Sequence, residues 1–185
     1  MHEFAQEAIE KDPGVRTFYP EVTIWNPDLN IYGHADGLLQ LLDGTWIVIE
    51  LKTINSMAFR YKDLPKPEHV RQVTSYIETI REFGCLYKLR DGTIGNVAPL
   101  GDKLRAGRII YISKDDLRIE ECHVIYTAAK REELIKSVAL LELHRINDTY
   151  PDRLPLVPNK KKTELERDWQ CRYCAWQDEC WKETE

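Results

Sequence analysis

The 185-residue sequence predicts a mixed α/β fold, in which antiparallel hairpin strands and one parallel strand form a central sheet flanked by helices. Three observations carry that prediction. Two strand-forming runs, "IYGHADGLLQLL" and "TWIVIELK", are separated by Asp43 and Gly44, a tight-hairpin signal. "KPEHVRQVTSYIETIREFG" sets Val70, Val73, Ile77 and Ile80 on one helical stripe, with Gly84 placed as a C-cap. "RIIYIS" is apolar, follows that helix, and reads as a parallel neighbour in the central sheet.

In chain order, residues 2–11 place Phe4, Ala5, Ala8 and Ile9 at helical spacing and stop at the breaker "DPG". "FYPEVTIW" then joins the two hairpin runs as three consecutive antiparallel strands. After the 66–84 helix, the stretch from Asp91 to Gly107, with four glycines and Pro99, reads as a long loop. "RIIYIS" and "LRIEECHVIYT" are strands, and residues 128–147 a second long helix with Leu134, Val138, Leu141 and Arg145 on one side. "YPDRLPLVPNKKK" is a proline-rich connector into a cysteine-bearing tail. The expected organisation is a core over residues 1–150 with a connector and cysteine-rich tail over 151–185.

A composition of 43% hydrophobic and 31% charged residues is that of a soluble globular domain, and no apolar run reaches the ~20 residues that span a bilayer. "MHEFAQEAIE" lacks the basic start and apolar stretch of a secretory signal, so a reducing cytoplasmic location is expected. The net charge of -5 argues against a globally basic nucleic-acid binder. Locally the balance reverses: from Lys52 to Arg71 there are five Lys/Arg against two acids, Asp63 and Glu68. No glycine-rich strand-to-helix phosphate loop is present, so a flavin or nucleotide enzyme is not supported.

The residues that point to chemistry sit in the hairpin. In "WIVIELKTIN", side chains alternate, so Glu50 and Lys52 share a face while Ile49 and Leu51 take the other. Asp36, at a similar distance on the other side of the Asp43-Gly44 turn, is expected to face Glu50 across the ladder if the register is regular. Two carboxylates brought together repel unless a cation lies between them, and oxygen ligands of this kind suit Mg²⁺ or Mn²⁺. Such an ion acidifies a bound water and neutralises a phosphate oxygen, and Lys52 beside it orients that water or stabilises developing charge. An isolated E-x-K is ordinarily a surface pair; the preceding Asp and the apolar run "WIVI" set this one apart. His34 reads as packing or exposed, and Glu21 as a solvent-facing carboxylate or a buttress for Lys52 or His2.

In "CRYCAWQDECW", Cys171, Cys174 and Cys180 have C-x2-C-x5-C spacing. Close thiolates of this kind hold one ion or cluster, which Trp169, Tyr173, Trp176 and Trp181 would shield from water. Cys85 and Cys122 read as structural.

Taken in order, "GHAD" (33–36), "VIELKT" (48–53) and "QVTSY" (72–76), preceded by a helix containing His2, resemble the PD-(D/E)xK nuclease superfamily, and most closely its RecB-like exonuclease branch. The resemblance implies a restriction-endonuclease-like core. It implies metal binding by Asp36 and Glu50 with the Leu51 backbone carbonyl, a catalytic Lys52, and His2 as an added metal ligand. It further implies that Gln72 and Tyr76, one helical turn apart, support the site and contact the nucleic-acid backbone. The cysteine triplet resembles the [4Fe-4S] staple of iron-sulfur members such as AddB-type helicase-nucleases and CRISPR-associated exonucleases. The fourth ligand of such a cluster is not identified. Either the chain is an N-terminally shortened form, or Cys85, Cys122 or a histidine completes the set, or the tail holds zinc or nothing.

The expected function is therefore a Mg²⁺- or Mn²⁺-dependent DNA exonuclease acting at ends or in single strands, in a larger recombination, phage or CRISPR-adaptation complex. The alternatives are a structure-selective endonuclease and a non-catalytic nucleic-acid-binding module with a zinc-bound tail.

Overall fold

In the computed structural model, residues 2–61, 64–89, 91–159, 163–167, 169–175 and 177–181 are described. The side chains of His2, Glu3, Ala58, Arg60, Tyr61, Trp169 and Glu179 lie outside that description. The chain divides into two compact units, Met1–Lys136 and Ser137–Glu185.

The first unit opens with helix α1 (His2–Glu10), followed by strands β1 (Val15–Asn26), β2 (Ile31–Leu41) and β3 (Trp46–Ile54). The β2–β3 turn is made by Gly44 at φ 88, a left-handed conformation open to glycine, with the Thr45 N–H donating to Asp43 Oδ1 at 2.9 Å. A short helix α2 (Ser56–Tyr61) leads to α3 (Pro67–Phe83), which has proline in its first turn, Glu68 near its N-terminus and Arg81 near its C-terminus. Gly84 ends α3 at φ 77, its N–H donating to the Ile80 carbonyl. The order of the remaining elements is β4 (Cys85–Lys88), β5 (Ile94–Val97), a 3₁₀ turn at Gly101–Lys103, β6 (Leu104–Ser113), β7 (Ile119–Ile125) and α4 (Ala128–Ile146), whose C-terminal part enters the second unit.

These strands form one seven-stranded sheet in the order β5-β4-β1-β2-β3-β6-β7. The β3–β6 pair is parallel and the others are antiparallel, so the mixed sheet expected from sequence is the one observed. The two faces carry separate cores. On one, Val73, Tyr76, Ile77 and Ile80 of α3 pack on Val22, Ile24, Leu38, Val48, Ile109 and Tyr111. On the other, Ala5 and Ile9 of α1 pack on Leu39, Ile47, Ile49 and Leu51. β3 thus sends Val48, Glu50 and Lys52 to the α3 side and the intervening apolar residues to α1.

The expected loop over Asp91–Gly107 is instead the β4–β5 hairpin, the 3₁₀ turn and the start of β6. Two of its glycines mark close approach rather than irregular chain. A Cβ on Gly95 would lie 2.3 Å from the Tyr87 ring, and one on Gly107 would lie 2.4 Å from Val73 Cγ1, so Gly107 lets α3 settle on the sheet. The α4 stripe also differs from expectation: Leu134 is buried and Val138 partly so, while Leu141 is exposed.

The second unit adds strands β8 (Val157–Pro158) and β9 (Leu165–Glu166), which pair antiparallel, and the short helices α5 (Trp169–Arg172) and α6 (Gln177–Cys180). No described helix is long and apolar enough to cross a membrane.

Candidate active site

The geometry begins with a change of face in two paired strands. Tyr19 and Val22 of β1 both pack into the α3-side core although they are three positions apart, and Ala35 and Leu38 of β2 do the same. A regular strand would place the members of each pair on opposite faces. The pairing stays in step on both sides, Pro20 with Gly37 and Val22 with Ala35, so no residue is inserted. Both strands instead twist at one level, that of Glu21 and Asp36, with Glu21 at φ 51.

This twist places Asp36 where sequence periodicity does not. The β2–β3 ladder runs from Gln40–Trp46 to Gly37–Ile49, so the regular Asp36–Glu50 pair expected next is not among the ladder pairs. The Leu51 N–H donates instead to Asp36 Oδ2 at 2.7 Å, so the carboxylate stands in for a main-chain acceptor where the strands part. In a strand, a residue's N–H and C=O point to the same side, so the Leu51 carbonyl faces the same gap. On the other flank, Gln6 of α1 donates from Nε2 to the Asp36 carbonyl at 3.0 Å.

Glu50 is buried, with 5% of its side chain accessible, and Lys52 Nζ donates to its Oε1 at 2.5 Å. Above them, α3 presents Gln72 and Tyr76, and Gln72 Nε2 donates to the Tyr76 hydroxyl at 2.7 Å. Burial pushes the Tyr76 phenol above its ordinary value, and the charges of Glu50 and Asp36 add to that push while the Gln72 bond opposes it. Both acids therefore act on one hydroxyl. The structure brings together Asp36, Glu50, Lys52, Gln72, Tyr76 and the Leu51 backbone. The His2 side chain lies outside the described residues, so its expected ligand role rests on its place in α1, one turn before Gln6.

Three residues given no role from sequence belong to the same constellation. One is Gln6; its signal was its i+4 spacing from His2. The others are His69 and Tyr111, joined by a 2.8 Å bond between Nδ1 and the hydroxyl. Tyr111 is the β6 partner of Lys52 in the parallel ladder, and His69 precedes Gln72 by one turn. Glu21 and His34 are exposed, and His34 Nδ1 meets the Thr23 hydroxyl at 3.1 Å.

In the second unit, Cys171 is buried, Cys180 partly buried and Cys174 exposed. The three line one hollow of about 290 Å³ with Tyr150, Arg153 and Leu154. Among the described residues no three of His, Cys, Asp and Glu gather closely enough to hold a metal ion, these cysteines included. The expected aromatic shield also differs. Tyr173 is exposed, and Trp181 lies under two guanidinium groups, Arg153 at 5.3 Å and Arg167 at 4.8 Å. Trp176 and the Trp169 side chain lie outside the described residues. Cys85 and Cys122 belong to the α3-side core of the first unit; burial pushes the Cys85 thiol up to about 12.

No family model and no curated protein matches this chain. Among solved structures it is similar to SSO0001, with a TM-score of 0.49, 19% identity, and 95% of this chain and 64% of that one covered. It is also similar to the alkaline exonuclease LHK-Exo from Laribacter hongkongensis, with a TM-score of 0.50, 17% identity, and 79% of this chain and 66% of that one covered. The fold is nuclease-like. At this identity the likeness is one of fold, and the chain spans just under two thirds of each of these proteins.

Proposed function

We propose that the chain is a divalent-metal-dependent deoxyribonuclease, an exonuclease that hydrolyses phosphodiester bonds at DNA ends or in single strands. The observation that carries this reading is the buried Glu50 paired with the half-buried Lys52, set beside Asp36 at the parting of β2 and β3 and under the Gln72–Tyr76 pair.

The donor set fits Mg²⁺ or Mn²⁺. Two carboxylates and a main-chain carbonyl are hard oxygen donors, and a magnesium ion needs no more than one or two carboxylates because it keeps several of its waters. That is compatible with the absence of any three-residue acidic or histidine cluster among the described residues. Asp36, Glu50 and the Leu51 carbonyl would hold the ion, which when bound supplies a more acidic water and charge neutralisation at the phosphate.

The chain's own groups do the rest. Asp36 is held at two points, its carboxylate by the Leu51 N–H and its carbonyl by Gln6, so its position follows the backbone rather than a free rotamer. Lys52 carries the positive charge beside Glu50; its ammonium orients the attacking water and stabilises negative charge that grows on the phosphate oxygens. The water oxygen forms the new bond to phosphorus as the bond to the leaving sugar oxygen breaks; the water's proton passes to solvent, and the sugar oxygen takes up a proton from solvent to leave as a hydroxyl. Gln72 and Tyr76 hold the nucleic-acid backbone over the acids. DNA is the proposed substrate, and work within a larger recombination, phage or CRISPR-adaptation complex the proposed setting.

The test is cleavage of linear and covalently closed circular DNA with Mg²⁺ or Mn²⁺, comparing the parent with Asp36→Asn, Glu50→Gln and Lys52→Ala. Linear DNA should be degraded and circles spared, and each variant should lose on the order of a hundredfold or more in rate while still reaching the folded state. Cut circles would make the enzyme an endonuclease. Tight binding without cleavage would make it a binding module, and undiminished activity in Lys52→Ala would place the chemistry elsewhere.

A further inference from the structure

His69 sits in the first turn of α3 on the stripe that carries Gln72 and Tyr76, at spacings of three and seven residues. Its Nδ1 lies 2.8 Å from the Tyr111 hydroxyl, and that hydroxyl also accepts the Lys66 N–H at 3.1 Å. Tyr111 is fully buried, at 0% exposure, so its hydroxyl hydrogen must find an acceptor inside the protein. The Lys66 amide is a donor and cannot serve. Among the described residues, His69 Nδ1 is the acceptor within reach. The hydroxyl therefore donates to Nδ1, and the ring proton is left on Nε2, at the opposite edge of the imidazole.

Among the described residues no group pairs with Nε2 at that edge, and the ring is half-buried rather than enclosed. Its surroundings match those of the acidic site. Tyr111 is the ladder partner of Lys52, and Lys52 is close enough for its charge to act on the imidazole. Burial first, then Lys52 and Lys66, holds His69 below its ordinary histidine value against the opposing pull of Glu68, which favours the uncharged imidazole.

We propose that His69 is a further substrate-contacting residue of the candidate site: an imidazole locked by Tyr111 as the Nε2–H tautomer, which donates to a phosphate oxygen of the bound nucleic acid. The inference rests on the nuclease reading for its ligand. Its role differs from that of Lys52. An ammonium attracts any nearby anion, whereas a fixed N–H selects one oxygen in one direction and so sets the register of the strand over the acids.

A two-bond nitrogen–proton correlation spectrum of the full chain reads the tautomer directly, without metal or DNA. The expected pattern is Nε2–H for His69, converting to a tautomer mixture in Tyr111→Phe. Adding a short single-stranded oligodeoxynucleotide with Ca²⁺, which supports binding without turnover, should shift the Nε2 proton. In cleavage assays His69→Ala should lose about ten- to a hundredfold in kcat/KM, mainly through KM, while His69→Gln, which keeps a donor near the Nε2 position, should recover most of it. An Nδ1–H tautomer, an unmoved resonance, or a Gln variant as impaired as Ala would overturn the proposal. The two failures are separable: unaltered cleavage by Asp36→Asn removes the nuclease reading, whereas an oligonucleotide that binds without moving the His69 signal removes this one.

Discussion

Replacing Lys52 with methionine keeps the side chain's aliphatic stem and removes its charge. In the folded protein the lost ammonium lies 2.5 Å from a Glu50 carboxylate that is 5% accessible, so the variant must keep a buried negative charge without that counter-charge. Removing one partner of a buried pair typically costs about 3–5 kcal/mol. Lys52 itself is 23% accessible, which places it partly within reach of solvent screening and brings the expectation down to about 2–3 kcal/mol. The assay is urea unfolding in chelator, where the midpoint should fall at an unchanged slope. Adding Mg²⁺ should then stabilise the variant more than the parent, because a cation held by Asp36 and Glu50 replaces the missing charge, while cleavage stays lost. A variant as stable as the parent in chelator would refute Glu50 as a buried partner of Lys52. A stability loss indifferent to Mg²⁺ would refute the acids as a cation site.

Gly107→Ala should destabilise by about 2–3 kcal/mol, because the new methyl would meet Val73 Cγ1 at 2.4 Å and lift α3 from the sheet. Adding Val73→Ala should cost less than the sum of the single changes in the same unfolding assay, and strict additivity would contradict the contact. Alkaline titration offers a further check. The Tyr111 and Tyr126 phenols are pushed from 10.0 up to about 12 by burial, helped in Tyr126 by its bond to Glu78. The native state therefore keeps protons that the unfolded chain releases, so stability is full below pH 10 and falls as the pH rises toward 12. Phenolate absorbance followed with unfolding should show these two tyrosines ionising last; titration of all tyrosines together near 10 would contradict the buried sites.

The fold was legible where one element imposes one period. The alternation in "WIVIELK" gives the true faces of β3, and the stripe Val73, Ile77, Ile80 gives the buried face of α3. It was least legible where glycine serves packing. Gly95 and Gly107 have the appearance of loop residues because nothing in a local window reveals the Tyr87 ring or the Val73 methyl that occupies the space of their missing side chains. At the site, the residue types and their order pointed to Asp36, Glu50 and Lys52. The manner of their meeting was hidden, because a face switch shared by β1 and β2 at Glu21 and Asp36 leaves no mark on a periodicity of two. His69 and Tyr111 were missed because the bond joining them spans 42 residues and two elements, whereas Gln72 and Tyr76 announce themselves by lying one turn apart.

The Leu51 amide has a consequence of its own. Its proton is held by a side chain, Asp36 Oδ2, at a point where the ladder has already ended. Its exchange with deuterated solvent is thus governed by what that carboxylate is doing rather than by the breathing of the sheet, while its neighbours along β3 follow the β6 ladder. A cation or an incoming strand engaged by that carboxylate would change how firmly it holds this one hydrogen and leave the surrounding protection intact, making a single backbone position a readout of occupancy.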